Sequence, residues 1–356
     1  MEQKTVSIII ATLNSENTLP LVFESIKKQT FPQKLIEVIV VDGGSTDRTL
    51  FIARKNRARV INNPRTEQNY GKHLGYLRAR GRYIMFLDSD EILKNKNSLK
   101  IRTQIFNLDD PVKMIVGSGY TNPSGYPFVN KYINEFGDPF SFFIYRLSKD
   151  SKIFVGEMRK RYKIIEEAKN YAIFDLSGVG SLPILELTAG GSMIDAVFLK
   201  RNFPETKTRV DLLNHAFYLI FSKSSRLAIA KGDAIAHYSA SNLSKYLNKI
   251  SWRVKSNIHY VSSVGMSGFV GRDRFQSGKK TNYKKYLFIP YSFSLIGPII
   301  DSTYLAITRG DMRYFLHFPL CIYTAGQIIY HSLLKVIGIK PKLLSYGGNE
   351  LIRVKN

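Results

Sequence analysis

The first hundred residues alternate between short apolar runs and amphipathic stretches. Apolar runs that each predict a buried strand occupy residues 6–12, 37–42, 59–61 and 83–87. Between them, residues 17–29 and 71–80 place apolar side chains on one face at helical spacing. Strands that alternate with helices predict an α/β fold with a parallel, doubly wound sheet.

Polar residues stand where these predicted strands end. Thr12 and Asn14 lie at the end of the first strand, Asp42 closes the second, and "FLDSDEIL" (residues 86–93) closes the fourth. In doubly wound sheets, ligands bind beyond the carboxyl ends of the strands. The sequence therefore predicts a binding site at this edge.

Two carboxylates, Asp88 and Asp90, flank Ser89 directly after an apolar strand. Left unpaired, the two carboxylates would repel each other, and a divalent cation removes that conflict while attracting phosphates. An exposed acidic turn is the alternative for so short a pattern. The position after a buried strand favours a metal site.

Three segments taken together resemble the family 2 glycosyltransferases in order and spacing: "SIIIATLNSENTL", "IEVIVVDGGSTDRT" and "GKHLGYLRARGRYIMFLDSDEIL". The resemblance covers roughly residues 5–100. It implies the A-type glycosyltransferase fold (GT-A), a Rossmann-like mixed sheet. It also implies a nucleotide-sugar donor, with UDP preferred to GDP, and Mn²⁺ or Mg²⁺ as cofactor.

The resemblance also assigns site residues by position. The residues that it implies for donor binding are Thr12, Asn14 and Glu16 around the nucleoside, Asp42 on the base, Lys72 near the phosphates and sugar, and Asp88 with Ser89. It implies that Asp88 and Asp90 hold the metal, and that the second Asp is the direct ligand.

A second stretch, residues 188–239, resembles the acceptor half of the same family. It implies that Gly190 and Gly191 let the backbone approach the sugar, that Asp211 is the general base, and that His237 is a further metal or diphosphate contact. The family often has Glu-Asp at the base position, where this chain has Val210-Asp211. An acid at a helix start, favoured by the helix dipole, is therefore the alternative for Asp211. Asp195 is a weaker candidate base.

These residues predict a metal-dependent, inverting and non-processive glycosyltransferase. "KISWR" (residues 249–253) lacks the glutamine that processive members carry. The alternatives are an inactive glycosyltransferase-like scaffold and a basic nucleic-acid-binding protein. No module of base-stacking aromatic residues on a basic face is visible, so we expect no nucleic-acid partner.

The formal net charge of +24 requires an anionic partner. Residues 241–356 contain 17 Lys and Arg but only four Asp and Glu. We therefore divide the chain into a catalytic domain, residues 1–240, and a basic, apolar helical region, residues 241–356, that associates with membranes. Within the first, residues 1–110 are the nucleotide-sugar half and residues 111–240 the acceptor half.

Two stretches near the end are unusually apolar. Residues 286–307 contain one charged residue and residues 314–334 contain none. His317, Thr324, Gln327 and His331 of the second stretch share one helical face with Lys335 just beyond it, which predicts an amphipathic helix lying on an anionic membrane surface. Attachment there would bring the catalytic domain to a lipid-linked or glycan acceptor. Soluble core packing, association with a second copy of the chain, and true membrane spans are the alternatives.

The single cysteine, Cys321, cannot form an intramolecular disulfide, which fits a reducing compartment. The chain enters a strand pattern within its first residues and lacks the regions of a signal peptide. Both features predict a peripheral or monotopic protein on the cytoplasmic face of the membrane.

Overall fold

A computed structural model describes residues 5–110, 112–179, 190–261 and 283–342. Twelve strands lie in these ranges: β1 (Val6–Thr12), β2 (Ile36–Asp42), β3 (Arg59–Asn62), β4 (Tyr83–Phe86), β5 (Glu91–Leu93), β6 (Met114–Val116), β7 (Gly119–Thr121), β8 (Lys163–Glu167), β9 (Tyr171–Asp175), β10 (Ser192–Asp195), β11 (Arg226–Ala230) and β12 (Ala234–His237).

The α-helices of the same ranges are α1 (Leu19–Lys27), α2 (Thr49–Lys55), α3 (Gln68–Arg78), α4 (Ser98–Phe106), α5 (Phe128–Phe136), α6 (Pro139–Tyr145), α7 (Phe154–Arg161), α8 (Ala196–Asn202), α9 (Val210–Asn214), α10 (Ala216–Phe221), α11 (Leu243–His259), α12 (Phe288–Phe293), α13 (Ile296–Arg309) and α14 (His317–Val336). Short 3₁₀ helices cover Gln33–Leu35, Pro204–Lys207, Lys285–Leu287 and Met312–Leu316.

Nine strands form one mixed sheet in the order β3-β2-β1-β4-β10-β6-β11-β9-β8. Strands β3, β2, β1 and β4 are parallel, and β10 runs antiparallel between β4 and β6. Every residue of β1 is buried, as a run of Val and Ile in a two-faced sheet requires. The α/β fold with a mixed, doubly wound sheet is confirmed, as are the four strands predicted in the first hundred residues.

The second sheet has three strands, in the order β5-β12-β7. Strand β12 pairs antiparallel with β5, so that His237 lies opposite Glu91. Because β5 follows directly after the turn that ends β4, this pairing brings His237 to the carboxyl edge of the large sheet.

Helix α3 lies unusually close to the large sheet. A Cβ atom on Gly75 would stand 2.4 Å from a methyl carbon of Ile9 on β1, so only glycine allows this contact. The approach places Lys72 and Gln68, one and two turns earlier on α3, over the carboxyl edge.

The C-terminal helices pack against helices α5 and α6 through polar contacts. Glu135 on α5 accepts a hydrogen bond from Nε of Arg309 at 2.9 Å, and the Tyr132 hydroxyl lies 2.5 Å from Nδ1 of His317. Arg146 forms an ion pair with Asp301. The boundary at residue 240 stays a prediction, and residues 262–282 and 343–356 of the proposed C-terminal region lie outside the described ranges.

Helix α14 is amphipathic as predicted, but most of its predicted polar face points into the protein. His317, Thr324 and His331 are buried, whereas Leu333 and Val336 are exposed. Within the described part of the chain, no helix combines the length and hydropathy needed to cross a bilayer.

Candidate active site

A carboxylate and an imidazole meet where the two sheets join. Oδ2 of Asp90 lies 3.6 Å from Nε2 of His237, and the carbonyl of Asp90 accepts a hydrogen bond from the amide of Tyr238 at 3.0 Å. Burial alone would raise the pKa of Asp90, but the adjacent His237 holds that pKa below its usual range. Burial opposes the charged form of His237, yet Asp90 raises the pKa of the imidazole above its usual value. Each group therefore favours the charged form of the other.

Asp88 points towards α3 and has its own partners. Its Oδ1 accepts hydrogen bonds from Nζ of Lys72 at 2.6 Å and from Nε2 of Gln68 at 2.9 Å. Lys72 is 2% exposed, so this ion pair is shielded from solvent. The structure thus gives the two aspartates different surroundings: Asp88 neutralises a buried lysine, while Asp90 faces His237.

Glu91, the third acid of the run, is fully buried and organises the turn. Its carboxylate accepts hydrogen bonds from the amide of Asp88 at 2.9 Å, the amide of Gly190 at 2.8 and 2.9 Å, and the hydroxyl of Tyr120 at 3.0 Å. Burial and the charge of Asp88 raise the pKa of Glu91 to about 7. Sequence reasoning did not assign Glu91 a role. The position of Glu91 next to the two aspartates was the available signal in the sequence. Two of its partners, Tyr120 and Gly190, lie far along the chain.

The two glycines are needed for this contact. Gly190 and Gly191 have φ values of +65° and +61°, in the left-handed region that glycine adopts readily. A Cβ atom on Gly190 would stand 2.6 Å from the hydroxyl of Tyr120. The backbone at Gly190 therefore closely approaches Glu91 and Tyr120. Contact with a donor sugar stays a prediction.

A buried ion pair beneath the glycines was not found from the sequence. Nε of Arg102 donates to Oδ2 of Asp233 at 2.7 Å, and both side chains are inaccessible to solvent. A second guanidinium nitrogen of Arg102 donates to the carbonyl of Gly191. Since Asp233 immediately precedes β12, this pair links the glycines to the strand that carries His237.

The loops after β1 and β2 brace each other. The Asn14 side-chain oxygen accepts a hydrogen bond from the amide of Thr46 at 2.9 Å, and the Glu16 carboxylate accepts one from the amide of Arg48 at 3.0 Å. The hydroxyls of Ser15 and Ser89 lie 2.8 Å apart, which joins the first loop to the acidic turn. These contacts give Asn14, Glu16 and Ser89 a structural role at the predicted edge.

Asp42 and Thr12 lie side by side at this edge, in register on β2 and β1. The Asp42 carboxylate accepts hydrogen bonds from the amides of Gly44 and Ser45 at 3.0 Å each, and from the Ser45 hydroxyl at 2.5 Å. Asp42 thus forms its own turn, and its contact with a base stays a prediction. The Thr12 hydroxyl is buried and has no hydrogen-bond partner among the described residues, so it is available to a ligand.

The predicted base, Asp211, lies in the first turn of α9. Arg209 donates two hydrogen bonds to its carboxylate, at 2.6 and 3.2 Å. Burial would raise the pKa of Asp211, but Arg209 outweighs it and holds the pKa below its usual range. Helix α9 packs on α3, the helix that carries Lys72.

Asp195 does not belong to the site. It pairs with Tyr83, the first residue of β4, and so lies at the opposite edge of the sheet from Asp88. Its carboxylate caps α8 by accepting a hydrogen bond from the amide of Phe198 at 2.9 Å. Its suggested role as an alternative base is therefore wrong.

Lys249 on α11 brings a cation to the Asp90 side of the site. Its Nζ donates to the hydroxyl of Ser239 at 2.8 Å. Burial holds the pKa of Lys249 below its usual value, although Asp90 and, more weakly, Asp88 act to raise it. In the sequence this lysine belongs to the basic region of residues 241–356.

The residues present fit a divalent cation only in part. Within the described ranges, no three His, Cys, Asp or Glu side chains form a cluster that could hold a metal. Asp90 and His237 supply two donor groups, and Nδ1 of His237 is buried with no partner in the described structure. Metals in phosphate-transfer sites are often held by one or two protein ligands, with substrate phosphates and water completing the shell. The pair therefore fits a metal that binds together with a nucleoside diphosphate.

The acidic edge of an α/β sheet, with a carboxylate–imidazole pair, the buried Lys72 and the half-buried Lys249, is suited to a phosphorylated ligand. Comparison with known proteins shows what the first part of the chain is similar to. The sequence model described as glycosyl transferase family 2 matches residues 7–172. This match covers just under half of the chain.

The curated relatives match only this first part. The Staphylococcus aureus poly(ribitol-phosphate) beta-N-acetylglucosaminyltransferase TarS is 37% identical over 100 residues, which cover 26% of this chain and 17% of TarS. The Escherichia coli UDP-Glc:alpha-D-GlcNAc-diphosphoundecaprenol beta-1,3-glucosyltransferase WfaP is 42% identical over 93 residues, covering 24% of this chain and 35% of WfaP. The chain therefore spans well under half the length of these relatives.

A solved structure of part of TarS in complex with UDP aligns with 92% of this chain and 88% of its own, at 17% identity and a TM-score of 0.47.

Proposed function

We propose that the protein is a metal-dependent, inverting glycosyltransferase that takes its sugar from a nucleoside-diphosphate sugar, preferably a UDP-sugar. The observation that carries the proposal is the Asp90–His237 pair, 3.6 Å apart, at the sheet edge of a family 2 domain. Fold alone would not support it, because one fold serves many reactions.

The nucleoside is proposed to bind over the ends of β1 and β2. There the buried Thr12 hydroxyl is available, and the Asp42 carboxylate keeps acceptor capacity beyond its own turn. The braced loops that carry Asn14 and Glu16 hold these groups before the ligand arrives. A preformed site avoids part of the ordering cost of binding.

The diphosphate is proposed to lie between two lysines of opposite walls. Lys72 reaches the acidic turn from α3, and Lys249 reaches it from α11. Asp90 and His237 would hold Mn²⁺ or Mg²⁺ there, with Asp88 beside them. When bound, the metal neutralises charge on the diphosphate and so makes it a better leaving group.

Asp211 is proposed to accept the proton of the acceptor hydroxyl. The hydroxyl oxygen then attacks the anomeric carbon on the face opposite the diphosphate, a new carbon–oxygen bond forms, and the bond to the diphosphate breaks. One displacement inverts the configuration. Because Arg209 keeps Asp211 ionised, the carboxylate is ready to accept a proton at neutral pH. An acceptor phosphate would need no such base.

The acceptor is proposed to be lipid-linked. One relative, WfaP, is named for transfer to a diphosphoundecaprenol-linked sugar. The apolar C-terminal helices of this chain would place the domain near such an acceptor. A polymeric glycan remains the alternative, since TarS is named for a poly(ribitol-phosphate) acceptor.

The test uses radiolabelled UDP-glucose, UDP-N-acetylglucosamine and GDP-mannose with undecaprenyl phosphate in detergent, with Mn²⁺ or with EDTA. We expect label from one donor to enter the organic phase, and Asp90→Asn or EDTA to abolish the transfer. Transfer that is equal with EDTA and Mn²⁺ would overturn the metal dependence. Label that stays in the aqueous phase while nucleotide is released would replace the lipid acceptor with a soluble one.

A further inference from the structure

Helix α13 presents an outward face dominated by large apolar side chains, with Thr303 among them. Ile296, Ile299, Ile300, Tyr304 and Ile307, which we call the outer face, are 69, 45, 62, 56 and 75% exposed. Their spacing places them on one side of the helix. Flanking residues Phe293, Leu295 and Met312 are also exposed. Soluble monomers seldom leave so large an apolar surface in water without a partner for it.

The polar side of the same helix points inward. Asp301 and Ser302 are buried, and Asp301 accepts hydrogen bonds from Arg146 and from the hydroxyl of Tyr291. The neighbouring α14 has the same orientation, with His317 and Thr324 buried. An amphipathic helix facing water would show the opposite arrangement. The buried polar groups of α13 therefore have partners inside the protein, and its apolar side is exposed.

The surroundings of the outer face are basic. Residues 283–342 contain seven Lys and Arg: Lys284, Lys285, Arg309, Arg313, Lys335, Lys340 and Lys342. The two acids of this segment are both engaged by cations: Asp301 by Arg146, and Asp311 by Arg313 at 2.9 Å and Lys131 at 3.4 Å. Such a surface attracts anionic headgroups.

Exposed tyrosines accompany the lysines. Tyr283, Tyr286, Tyr304 and Tyr330 are between 55 and 69% exposed. A tyrosine ring with a polar tip suits the boundary between headgroups and acyl chains. A second copy of the chain would bring two basic rims together, so charge favours lipid over self-association.

We propose that the outer face of α13 inserts into the headgroup–acyl boundary of an anionic bilayer, with the helix lying in the membrane plane. At 14 residues the helix is about 21 Å long, shorter than the ~30 Å hydrocarbon core. This geometry fits a helix that lies on the membrane. The inference specifies the surface by which the proposed function would reach a lipid-linked acceptor, but lipid binding can be measured without any transfer reaction.

The test is flotation of the purified full chain with vesicles of phosphatidylcholine alone or mixed with phosphatidylglycerol. The variant is Ile300→Glu with Ile307→Glu, both at well-exposed positions. The matched control is Phe51→Glu with Val197→Glu, which adds two charges at exposed apolar positions, 55 and 56% exposed, on α2 and α8. Circular dichroism and UDP titration confirm that each variant is folded.

We expect wild type and control to float with the mixed vesicles, more weakly with phosphatidylcholine alone, and less in high salt. The outer-face variant should lose at least tenfold in partitioning. Equal flotation of variant and wild type would overturn the proposal. It would also fail if wild type binds neither vesicle but sediments as a dimer that the outer-face variant dissociates, because the occupant would then be a second copy. If wild type does not bind UDP, that result counts against the proposed function, and the flotation result can still be interpreted.

Discussion

His237 Nε2 lies 3.6 Å from Asp90 Oδ2, although the two residues lie far apart along the chain. Asp90 lies in the turn between β4 of the large sheet and β5 of the small one, and His237 ends β12, the strand that pairs with β5. The candidate metal site is therefore a junction, and it exists only when both halves of the catalytic region are folded together.

Lys249 should contribute to binding of the donor's diphosphate. We expect Lys249→Gln to weaken UDP binding about tenfold or more, because a hydrogen bond to a charged group contributes about 1.5–3 kcal/mol. Calorimetric titration of UDP measures the change. Lys245→Gln, at an exposed position one turn earlier on α11, removes the same charge and should change the affinity less than twofold. Equal losses in both variants would reduce Lys249 to a part of the general basic surface.

Gly190→Ala should destabilise the protein by more than the strain of its backbone alone. Gly178→Ala is the control, because Gly178 has φ +71° and nothing within 4 Å of the added methyl. We expect about 1–2 kcal/mol for the control from the left-handed conformation, and a clearly larger loss at Gly190 from the contact with the Tyr120 hydroxyl.

Urea unfolding of both variants measures this difference. Tyr120→Phe should recover part of the Gly190→Ala loss by removing the clashing oxygen. If both glycine variants lose the same stability, the close approach to Tyr120 is not what requires glycine at position 190.

Asp211→Asn should lower kcat by a factor of about 10² to 10⁴, the usual contribution of a general base, and leave the calorimetric affinity for UDP unchanged. Asp195→Asn should preserve kcat, since Asp195 lies at the opposite edge and asparagine also caps helices well. Release of UDP from the donor, measured with saturating acceptor, gives kcat. Unchanged turnover in Asp211→Asn would point to an acceptor that needs no base, or to a different base.

The free energy of unfolding should decrease as the pH is lowered, because of His317. Burial lowers the pKa of His317 to about 3, well below the usual value of 6.5. The unfolded state therefore binds the proton more readily, so the contribution is complete above pH 6.5 and is lost as the pH falls towards 3. The groups around the imidazole are Tyr132, Tyr291, Cys321, Asp301 and Arg146.

The measurement is urea unfolding at pH 7.5 and 5.5. Between these values wild type should lose about 1.4 kcal/mol more than His317→Gln, which cannot take up the proton. Other histidines contribute equally to both proteins and cancel in the comparison. Identical pH dependence in the two proteins would mean that His317 is not held neutral by its surroundings.

The parallel half of the fold and its edge could be predicted because their signals are local. An apolar run such as Val6–Thr12 specifies a two-faced strand, and the residue that ends it is placed at the carboxyl edge by topology alone. Thr12, Asp42 and Asp88 were located in this way. Their ligands were implied by the family resemblance rather than by the pattern.

The remaining features depend on contacts between distant segments. Glu91 binds the amide of Gly190, and Arg102 binds Asp233 in the protein interior, where no sequence period records the partner. The inward direction of the α14 polar face depends on Tyr132 meeting His317, which amphipathicity alone cannot reveal. A helical pattern shows that two faces differ, but not which of them meets the protein.

The most direct measurement is calorimetric titration of UDP and GDP into the purified protein with Mn²⁺, with Mg²⁺ and with EDTA, alongside Asp90→Ala. Asp109→Ala, which removes an exposed carboxylate outside the site, is the charge control. We expect metal-dependent binding of one nucleotide, UDP in preference, that is lost in Asp90→Ala and retained in Asp109→Ala. Binding that is unaffected by EDTA and by Asp90→Ala, or no binding of either nucleotide under any condition, would contradict the assignment of the Asp90–His237 pair as the metal and donor site.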